Sequence, residues 1–411
     1  MRLIHTADWH LCDKLGRVDR TADLRDRVGR VAGYAEEHQA DLLLLAGDLF
    51  YEHATARQVA ESLDHVRTVF RPFFERGGTI LAITGNHDDD RYMEVVRAGL
   101  RLAAPVLPGG VFQRGRLYLL NGPSFGVFES VAGERAQVVM LPYPNRARYA
   151  LPDAYQTREE EHRELQRAMT ETVANFRGDP AYQMALPSVL MAHLHVRGAN
   201  LNRNLFRMSE ADDVMVEAAD LSAGWAYVAL GHIHLPQMVG GAETIRYPGP
   251  LDRLDFGEKS DERGVLLVDL GPHAVVGSPT WLPLPPTPMH TVAITNPDAE
   301  LPTLADRYPD RETALVQVDV TQPPGCPLTR DQIARRLHQT FPRLHQLRWA
   351  DDLPDGGAVG DTDSQAAATG KPFADTVREY LTAKLANDPP DERAALLALA
   401  DQFLATPGGD A

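Results

Sequence analysis

The sequence predicts an α/β protein with a covered, largely parallel sheet, followed by a small α+β segment and a helical hairpin. Short runs of residues 3–7, 41–46 and 79–84 are apolar on both faces, and helix-like stretches at about 20–38 and 56–76 separate them. This alternation is typical of parallel strands that are buried beneath helices. The length of 411 residues is sufficient for two or three domains.

The composition excludes several classes of protein. Hydrophobic residues make up 44% and charged residues 24%, which argues against disorder and fibrous repeats. The net charge of −16 disfavours a protein that holds nucleic acid through a broad basic surface, so a polyanionic substrate would need a local positive device such as metal ions. The two cysteines, Cys12 and Cys326, form no CxxC pair and are expected as free thiols. Without a signal-peptide stretch or a membrane span, a cytoplasmic protein is expected.

Further patterns divide the chain into four segments. Strands are predicted at 138–141, 188–192, 226–230 and 265–270, with a helix at about 157–176, so the core domain is expected to span 1–280. A Pro-rich stretch then leads into an α+β segment at 281–350, and a flexible linker is expected at 351–371. The remaining segment, 372–405, contains two short amphipathic helices. They fit equally a cap packed on this protein or a docking element for a partner.

Polar clusters follow five of the predicted strands. They are Asp8-Trp9-His10, Gly47-Asp48, Gly85-Asn86-His87-Asp88, Ala192-His193-Leu194-His195 and Gly231-His232-Ile233-His234. In an open α/β sheet the carboxyl ends of the strands meet in one crevice, so these clusters are expected to converge there. Carboxylate, amide and imidazole groups without sulfur suit manganese, iron or zinc. Asp48 is the natural carboxylate to bridge two ions.

Each cluster taken alone has a simpler explanation. A single His10 or His193 is more often a buried, hydrogen-bonded histidine than a ligand, and Asp48 alone is compatible with a helix N-cap. The occurrence of all five clusters in order favours the metal site. His195 and His53 have no assignable ligand position and are expected beside the site or at the surface.

The ordered clusters resemble the calcineurin-like metallophosphoesterase superfamily, which implies layered β-sheets flanked by helices and a di-metal phosphoesterase. Residues 41–50 and 247–258 resemble the SbcD family, the bacterial nuclease subunits akin to that of the MRN complex. The resemblance covers about residues 1–270. Two departures from the family pattern are Tyr51, where relatives often carry Asp or His, and Pro250, where serine is usual.

The resemblance implies a role for each residue of the clusters. One ion would be bound by Asp8, His10, Asp48 and His234, and the other by Asp48, Asn86, His193 and His232. His87 would stay unligated above the phosphate, to stabilise the transition state or protonate the leaving 3′ oxygen. Asp88 would orient His87, or alternatively stabilise the turn.

The resemblance also implies partners and a reaction. The expected protein is a nuclease subunit that uses two divalent ions, manganese first and magnesium as the alternative, to trim DNA duplex ends 3′ to 5′ and to cut single strands and hairpins. A capping domain at 281–350, a homodimer, a nucleoid-associated location and docking of 372–405 onto the SbcC coiled-coil ATPase are implied as well. Arg17, Arg20 and Arg253 are candidate phosphate contacts, or else solvated surface charges. The alternatives are a phosphoesterase for a small phosphate ester and a DNA-bridging scaffold.

Overall fold

The computed structural model describes residues 1–350 except 104–105, 108–109, 153–154, 156, 202–213 and 223, together with positions 378, 382, 393 and 396–398. The chain divides into two compact units, Met1–Ala350 and Asp351–Ala411. The predicted linker at 351–371 lies outside the described residues. So does the predicted hairpin at 372–405, apart from those few positions, which are helical.

The strands of the described residues are short and most belong to two large sheets. In chain order they are β1 (Arg2–Thr6), β2 (Lys14–Leu15), β3 (Val18–Asp19), β4 (Leu42–Ala46), β5 (Thr79–Ile83), β6 (Val106–Leu107), β7 (Val111–Phe112), β8 (Leu117–Leu120), β9 (Ser124–Glu129), β10 (Arg135–Leu141), β11 (Ser188–His193), β12 (His195–Val196), β13 (Met215–Val216), β14 (Tyr227–Gly231), β15 (Gln237–Val239), β16 (Ala242–Tyr247), β17 (Arg263–Asp269), β18 (Thr280–Leu284), β19 (Met289–Ile294), β20 (Leu315–Val320) and β21 (Leu344–Trp349).

The helices lie mainly between these strands. They are α1 (Thr21–Glu37), α2 (Ala56–Val69), α3 (Arg71–Glu75), α4 (Asp90–Ala103), α5 (Arg158–Gly178), α6 (Ala218–Ser222), α7 (Pro297–Glu300), α8 (Leu304–Arg307) and α9 (Arg330–Thr340). Short 3-10 turns occupy Phe256–Glu258 and Leu301–Thr303.

The centres of both large sheets are parallel, as the sequence predicts, and each sheet also contains antiparallel strand pairs. The first sheet has the order β18-β17-β1-β4-β5-β8, in which β1, β4, β5 and β8 run parallel. The second has the order β15-β16-β14-β11-β10-β9-β7-β6, in which β16, β14, β11 and β10 run parallel. The carboxyl ends of both parallel centres carry the predicted ligand clusters.

The two sheets stack face to face between layers of helices. The unbroken leucine run of β4 shows why: Leu43 and Leu45 pack in a core that also contains residues of α1 and α2, whereas Leu42 and Leu44 pack in a core with residues of the second sheet. Successive side chains of a strand point to opposite faces, so a strand covered on both faces is apolar throughout. Helix α5 covers the outer face of the second sheet through Leu165 and Met169. The α/β class with layered sheets is therefore confirmed.

The segment after residue 285 forms a separate three-stranded parallel sheet, β19-β20-β21, with its own apolar core. It also contacts the small hairpin β2–β3, where Leu15 packs against Met289 and Leu315. Strand β18 pairs with β17, so the first sheet extends to Leu284, beyond the predicted boundary at 280. The division into domains at 280 and 350 stays a prediction.

Two helices differ from the sequence prediction. The single helix expected at 56–76 is two helices, because Pro72 at the start of α3 lacks the N–H that a continuing helix requires. Helix α4, which begins just after the Gly85-Asn86-His87-Asp88 cluster, was not predicted. Cys12 and Cys326 are free, as expected. Among the described residues, no helix has the length and apolar character needed to cross a membrane.

Candidate metal centre

Every predicted ligand lies at or just beyond the carboxyl end of a parallel strand. Asp8 and His10 follow β1, Asp48 follows β4, Asn86 follows β5, His193 ends β11, and His232 and His234 follow β14. The two sheets thus contribute to one site, and residues more than 200 positions apart in the sequence become neighbours, as the hydrogen bond from the His232 backbone N–H to Asp8 Oδ1 (3.0 Å) demonstrates.

The backbone at four of these ligands has left-handed dihedrals that residues with side chains rarely adopt. The φ values are 52° at Asp8, 43° at His10, 51° at Asp48 and 101° at His232. Such conformations cost about 1–3 kcal/mol each and persist where surrounding contacts enforce them. Here the loops hold each other: Asp8 N–H donates to the Gly47 carbonyl (3.0 Å) and His10 N–H to the Asp48 carbonyl (2.9 Å). The strain is concentrated in the backbone that aims the ligands.

Two glycines allow the ligand side chains to pack directly on backbone. A Cβ at Gly47, where φ is 94°, would lie 2.0 Å from His193 Nδ1. A Cβ at Gly85 would lie 2.0 Å from Asp48 Oδ1. The glycines of the Gly-Asp and Gly-Asn-His-Asp motifs are therefore required for close approach, since any other residue would displace a ligand.

Asp8, His10 and His234 form the first group of candidate ligands, with ligand atoms within 4.8 Å of one another. Asp8 Oδ2 and His10 Nε2 are buried, and neither has a hydrogen-bond partner among the described residues. His234 Nδ1 donates to Glu258 Oε1 (2.9 Å), which leaves Nε2 as the ligand atom. Buried polar atoms without partners are costly, and a bound cation would satisfy them.

A second group adds Asp48 and His193 to Asp8. His193 Nδ1 donates to the Ala46 carbonyl (2.8 Å), so the lone pair of the neutral ring is on Nε2. That atom faces Asn86 Oδ1 at 3.0 Å and Asp48 Oδ2 at 3.3 Å. Only a proton or a cation can lie favourably between such groups. Ligand atoms about 2.1 Å from a shared ion are separated by about 3 Å, so these spacings fit a metal ion.

The pKa values of the buried groups reflect their mutual electrostatics. Burial raises the pKa of Asp8 to about 6, although His193 and His234 oppose the change. Burial also acts to raise the pKa of Asp48, but His193 and His10 outweigh it and hold that pKa well below its usual range. Burial lowers the pKa of His193, yet Asp48 and Asp8 outweigh it and bring the pKa to about 9. Negative charge is thus stabilised on Asp48, which belongs to the second group and lies 3.6 Å from His10 Nε2 of the first.

Sequence reasoning assigned no role to Glu258, which supports His234 from behind. Glu258 is fully buried and also accepts hydrogen bonds from Arg263 Nη2 (2.6 Å) and Leu254 N–H (2.9 Å). Burial would raise its pKa, but His234 and Arg263 lower it to about 2. A carboxylate that accepts from the far nitrogen of a histidine fixes the ring orientation of a metal ligand. The available signal was its position in the 247–258 stretch that carries the family resemblance.

Asp88 does not orient His87, so that expectation is wrong. Its buried carboxylate accepts three backbone N–H groups, from Leu49 (3.2 Å), Phe50 (3.1 Å) and Gly85 (2.8 Å). These bonds tie the loop after β5 to the loop after β4, which is the turn-stabilising alternative. The short side chain of an aspartate bonds to whichever backbone N–H groups lie nearest. Two of these groups here come from another loop, so the Gly85-Asn86-His87-Asp88 motif alone does not predict them.

His87 itself is partly exposed and faces a different carboxylate. Its Nδ1 lies 3.4 Å from Glu52 Oε2, and its side chain is 25% exposed. Its backbone N–H donates to Asp48 Oδ1 (2.9 Å). The imidazole therefore lies beside the ligand groups, in a position open to a substrate. Glu52 is a second residue to which sequence reasoning assigned no role.

The three candidate phosphate-binding arginines have different surroundings. Arg20 is fully buried and pairs with Asp252 (3.0 Å), so its assignment as a phosphate contact is wrong. That partner lies 232 positions further along the chain, which no local pattern reveals. Arg17 is exposed in the turn between β2 and β3. Arg253 is partly buried, and its Nε donates to the Asp261 carbonyl (3.0 Å).

The two histidines without an assigned role lie outside the ligand groups. His195 is buried in β12, and its ring centroid is 6.5 Å from that of His232. His53 is at the surface with a 73% exposed side chain.

The candidate ligands open into a cleft of about 490 Å³. Besides the ligands and His87, its walls include Lys14 of the small hairpin, Tyr51, Glu52 and His345 of the β19–β21 segment. The cleft is large enough for one nucleotide or another phosphate ester of that size, and a residue from beyond the core sheets contributes to its wall.

Layered mixed sheets with a cluster of Asp, Asn and His at the strand ends define a class of metal-dependent hydrolases. The family model of the calcineurin-like phosphoesterases matches residues 1–236. The chain belongs to this family, and its fold and candidate Asp and His cluster support the binding of divalent metal ions.

Within the family, the chain is an SbcD-type nuclease subunit and a metal-dependent hydrolase. It is 32% identical over 335 residues to the SbcD subunit of the SbcCD nuclease of Rhodobacter capsulatus, covering 76% of this chain and 78% of that protein. The corresponding protein of Bacillus subtilis is 29% identical over 283 residues, covering 66% and 67%. Among solved structures, a dimetal phosphatase from Danio rerio has a TM-score of 0.41 at 8% identity, covering 65% of this chain and 92% of that one.

Proposed function

We propose that this protein hydrolyses DNA phosphodiester bonds with two divalent ions, manganese in the first place and magnesium as the alternative. The substrates are duplex ends, degraded 3′ to 5′, and single strands or hairpins, cut internally. The observation that carries the proposal is the convergence of two buried atoms, Asp8 Oδ2 and His10 Nε2, on the carboxylate of Asp48. Neither atom has a hydrogen-bond partner within the part of the chain that the structure describes. The similarity to SbcD proteins supports DNA as the substrate.

The ligands divide into two sets that share Asp48. One set is Asp8, His10, Asp48 and His234, and the other is Asp48, Asn86, His193 and His232. Asp48 Oδ2 lies 3.6 Å from His10 Nε2 and 3.3 Å from His193 Nε2, one histidine from each set, which supports its role as the bridge. When bound, such a pair of ions neutralises charge on the phosphate and lowers the pKa of water towards neutrality.

His87 is proposed as the residue that acts on the phosphate without binding an ion. Its partly exposed imidazole lies beside the ligands, where it would donate a hydrogen bond to a phosphoryl oxygen or a proton to the leaving 3′ oxygen. Glu52, 3.4 Å away, would hold the ring in that orientation. Asp88 supports both loops from the interior.

DNA binding in a chain of net charge −16 must rely on the ions and a few local cations. The hairpin β2–β3 offers two of them, since Lys14 lines the cleft and Arg17 is exposed in the turn. We propose Arg17, with Arg253 as a further candidate, as a contact to the DNA backbone. The capping domain at 281–350 supplies His345 to the cleft wall.

The ATPase partner is proposed to be of the SbcC type, which the names of the similar proteins imply for those proteins. Segment 372–405, reached through the linker at 351–371, is the proposed docking element, on the strength of its amphipathic pattern. Such a complex would control access of DNA to the cleft, in the cytoplasm and close to the nucleoid.

Cleavage assays with the purified full chain test this function. We expect manganese-dependent shortening of a linear duplex labelled at its 5′ ends, and internal cutting of a hairpin substrate, with no turnover after chelation by EDTA. A cyclic nucleotide and p-nitrophenyl phosphate serve as small-ester substrates in parallel. Turnover of these esters without DNA cleavage would establish the small-substrate alternative. Metal binding without cleavage of any substrate, even with the ATPase partner present, would favour a scaffold.

Helix α4 presents the surface that we propose for a homodimer. Tyr92, Val95 and Leu102 are 40%, 73% and 90% exposed, and their spacing places them on one face of the helix. Exposed apolar side chains aligned in this way favour association. The proposed occupant is a second copy of this chain, because a twofold axis would place this face against the same face of the other copy.

Substitution of Leu102 by glutamate tests the dimer. We expect wild type to sediment with the mass of two chains and Leu102→Glu with the mass of one, because a charge would be buried in an apolar interface. Met184→Glu, at a side chain 84% exposed outside α4, is the matched control and should remain dimeric. A monomeric wild type at micromolar concentration, or a dimeric Leu102→Glu, would show that α4 is not the interface.

A further inference from the structure

Arg148 is a buried arginine in the segment that follows β10, outside all of the sequence motifs. Its side chain is 2% exposed. Its guanidinium donates to three backbone carbonyls, from Nη1 to Gly85 (2.8 Å) and Tyr143 (3.3 Å) and from Nη2 to Asp88 (3.2 Å). Nε donates to Asp90 Oδ1 (2.8 Å), which supplies the neutralising charge.

Two of those carbonyls belong to the two ends of the Gly85-Asn86-His87-Asp88 loop. One planar group thus bridges the beginning and the end of the loop, and the two residues between its contacts are the proposed ligand Asn86 and the proposed catalytic His87. The loop follows a strand of the first sheet, whereas Arg148 follows a strand of the second. The contact therefore links the two sheets at the metal centre.

The opposite side of the loop is held by a different group. The Asp88 carboxylate accepts backbone N–H groups of Leu49 and Phe50, which follow Asp48. The loop is consequently held between the β4 loop on one side and Arg148 on the other. Without the second restraint, the loop would still be attached to Asp48, but the position of Asn86 relative to His193 and His232, on the second sheet, would no longer be fixed.

The chemistry of the contact requires an arginine. A guanidinium has five donors in a rigid plane and can reach carbonyls on two sides together with a carboxylate. A lysine ammonium is a single point charge and cannot span the same acceptors. Asn145 Nδ2 donates to Asp90 Oδ2 (3.0 Å), and the backbone N–H of Arg148 donates to Asn145 Oδ1 (2.8 Å). Arg148, Asp90 and Asn145 therefore form a closed network of hydrogen bonds.

We propose that Arg148 is a positioning residue that sets the geometry of Asn86 and His87 against the ligands of the second sheet. It touches neither an ion nor the substrate, and it acts through the loop that carries both residues. The inference rests on the proposed function, because it assumes that Asn86 binds one of the two ions and His87 acts on the phosphate.

Substitution of Arg148 by lysine in the full chain tests the proposal. We expect the affinity for one of the two manganese ions, measured by calorimetry, to fall by about 10- to 100-fold, while that for the ion of Asp8, His10 and His234 is unchanged. We expect kcat on duplex DNA to fall about 100-fold with little change in KM, because misplacement by about 1 Å has that effect on a reacting group.

The matched control is Arg76→Lys. Arg76 also contacts one carboxylate, Glu36, and two carbonyls, Ala35 and Ala40, but in the α1–α3 region away from the cleft. We expect it to lose stability without a change in either ion affinity or in kcat. If Arg148→Lys acts only by a general loss of stability, the affinities for both ions should fall equally. That result would overturn the proposal.

A second variant covers the case in which Arg148→Lys does not fold. Asp90→Asn removes the charge that neutralises Arg148 but keeps its carbonyl bonds, so the same ion affinity and kcat should fall by about tenfold. Wild-type values in Asp90→Asn, or in a folded Arg148→Lys, would overturn the inference. A wild type that binds fewer than two ions or cleaves no DNA would instead refute the proposed function itself.

Discussion

Replacement of Asp48 by alanine is expected to abolish DNA cleavage, with a loss of at least about 1,000-fold in rate. Asp48 Oδ2 is close to both His10 and His193, so the change removes a ligand from both proposed ions at once. The charge stabilisation that two ions supply amounts to several kcal/mol, and each 1.36 kcal/mol corresponds to about tenfold in rate. Initial rates on a labelled duplex, with manganese in excess, measure the effect.

The binding of metal is expected to fail in the same variant. Saturating manganese stabilises a protein that binds it by about 2.7 kcal/mol when the ion is at a hundred times its dissociation constant. We expect the melting temperature of wild type to rise when manganese is added, and that of Asp48→Ala to stay unchanged. Asp89→Ala is the control, because that carboxylate pairs with exposed Arg91 (2.8 Å) and such pairs contribute little. Cleavage by Asp48→Ala at more than a tenth of the wild-type rate would contradict the bridging role.

Replacement of His87 by alanine is expected to separate catalysis from metal binding. The imidazole is not in either ligand group, and the backbone N–H that donates to Asp48 Oδ1 remains in alanine. Both ions should therefore bind as in wild type. Loss of a positioned acid or hydrogen-bond donor lowers rates by about 100- to 10,000-fold. The measurement is kcat on duplex DNA beside manganese calorimetry of the same preparation.

His53→Ala is the matched control for this experiment. His53 also pairs with Glu52, at 3.4 Å, but its side chain is 73% exposed. We expect its kcat to stay within about twofold of wild type, as for most surface substitutions. Wild-type cleavage by His87→Ala would exclude His87 from the reaction, whereas lost manganese binding would make it a ligand.

The candidate ligand set could be proposed from the sequence because each of its residues belongs to a short motif that follows or ends a strand. The apolar runs of β1, β4, β5, β11 and β14 identify the strands, and in a parallel arrangement all of their carboxyl ends meet. Neither the antiparallel strand pairs nor helix α4 was predicted. The edge strands are short and alternate weakly. Helix α4 packs Met93, Val96 and Leu100 against the core, but its exposed Tyr92, Val95 and Leu102 widen the apolar pattern and obscure that face.

The residues that surround the ligands were predicted less well. Arg20 and Asp88 carry charges that in isolation fit substrate binding and histidine orientation, yet their partners are Asp252 and three backbone N–H groups. Conversely, Glu258 supports His234 and Glu52 faces His87, although neither belongs to a motif with an assigned role. A charged side chain takes the partner that folding brings within reach, and that partner can lie anywhere in the chain.

The sequence by itself determined the α/β class, the positions of the central strands along the chain, the family and the identity of the candidate ligands. These depend on hydrophobic periodicity and on motifs within a few residues, which local chemistry encodes. Only the tertiary structure decided how the ligands are held: the left-handed backbone at Asp8 and Asp48, the carboxylate behind His234 and the arginine beneath the Asn86 loop. Each of these depends on contacts between segments that are distant in the sequence, and its geometry exists only in the folded protein.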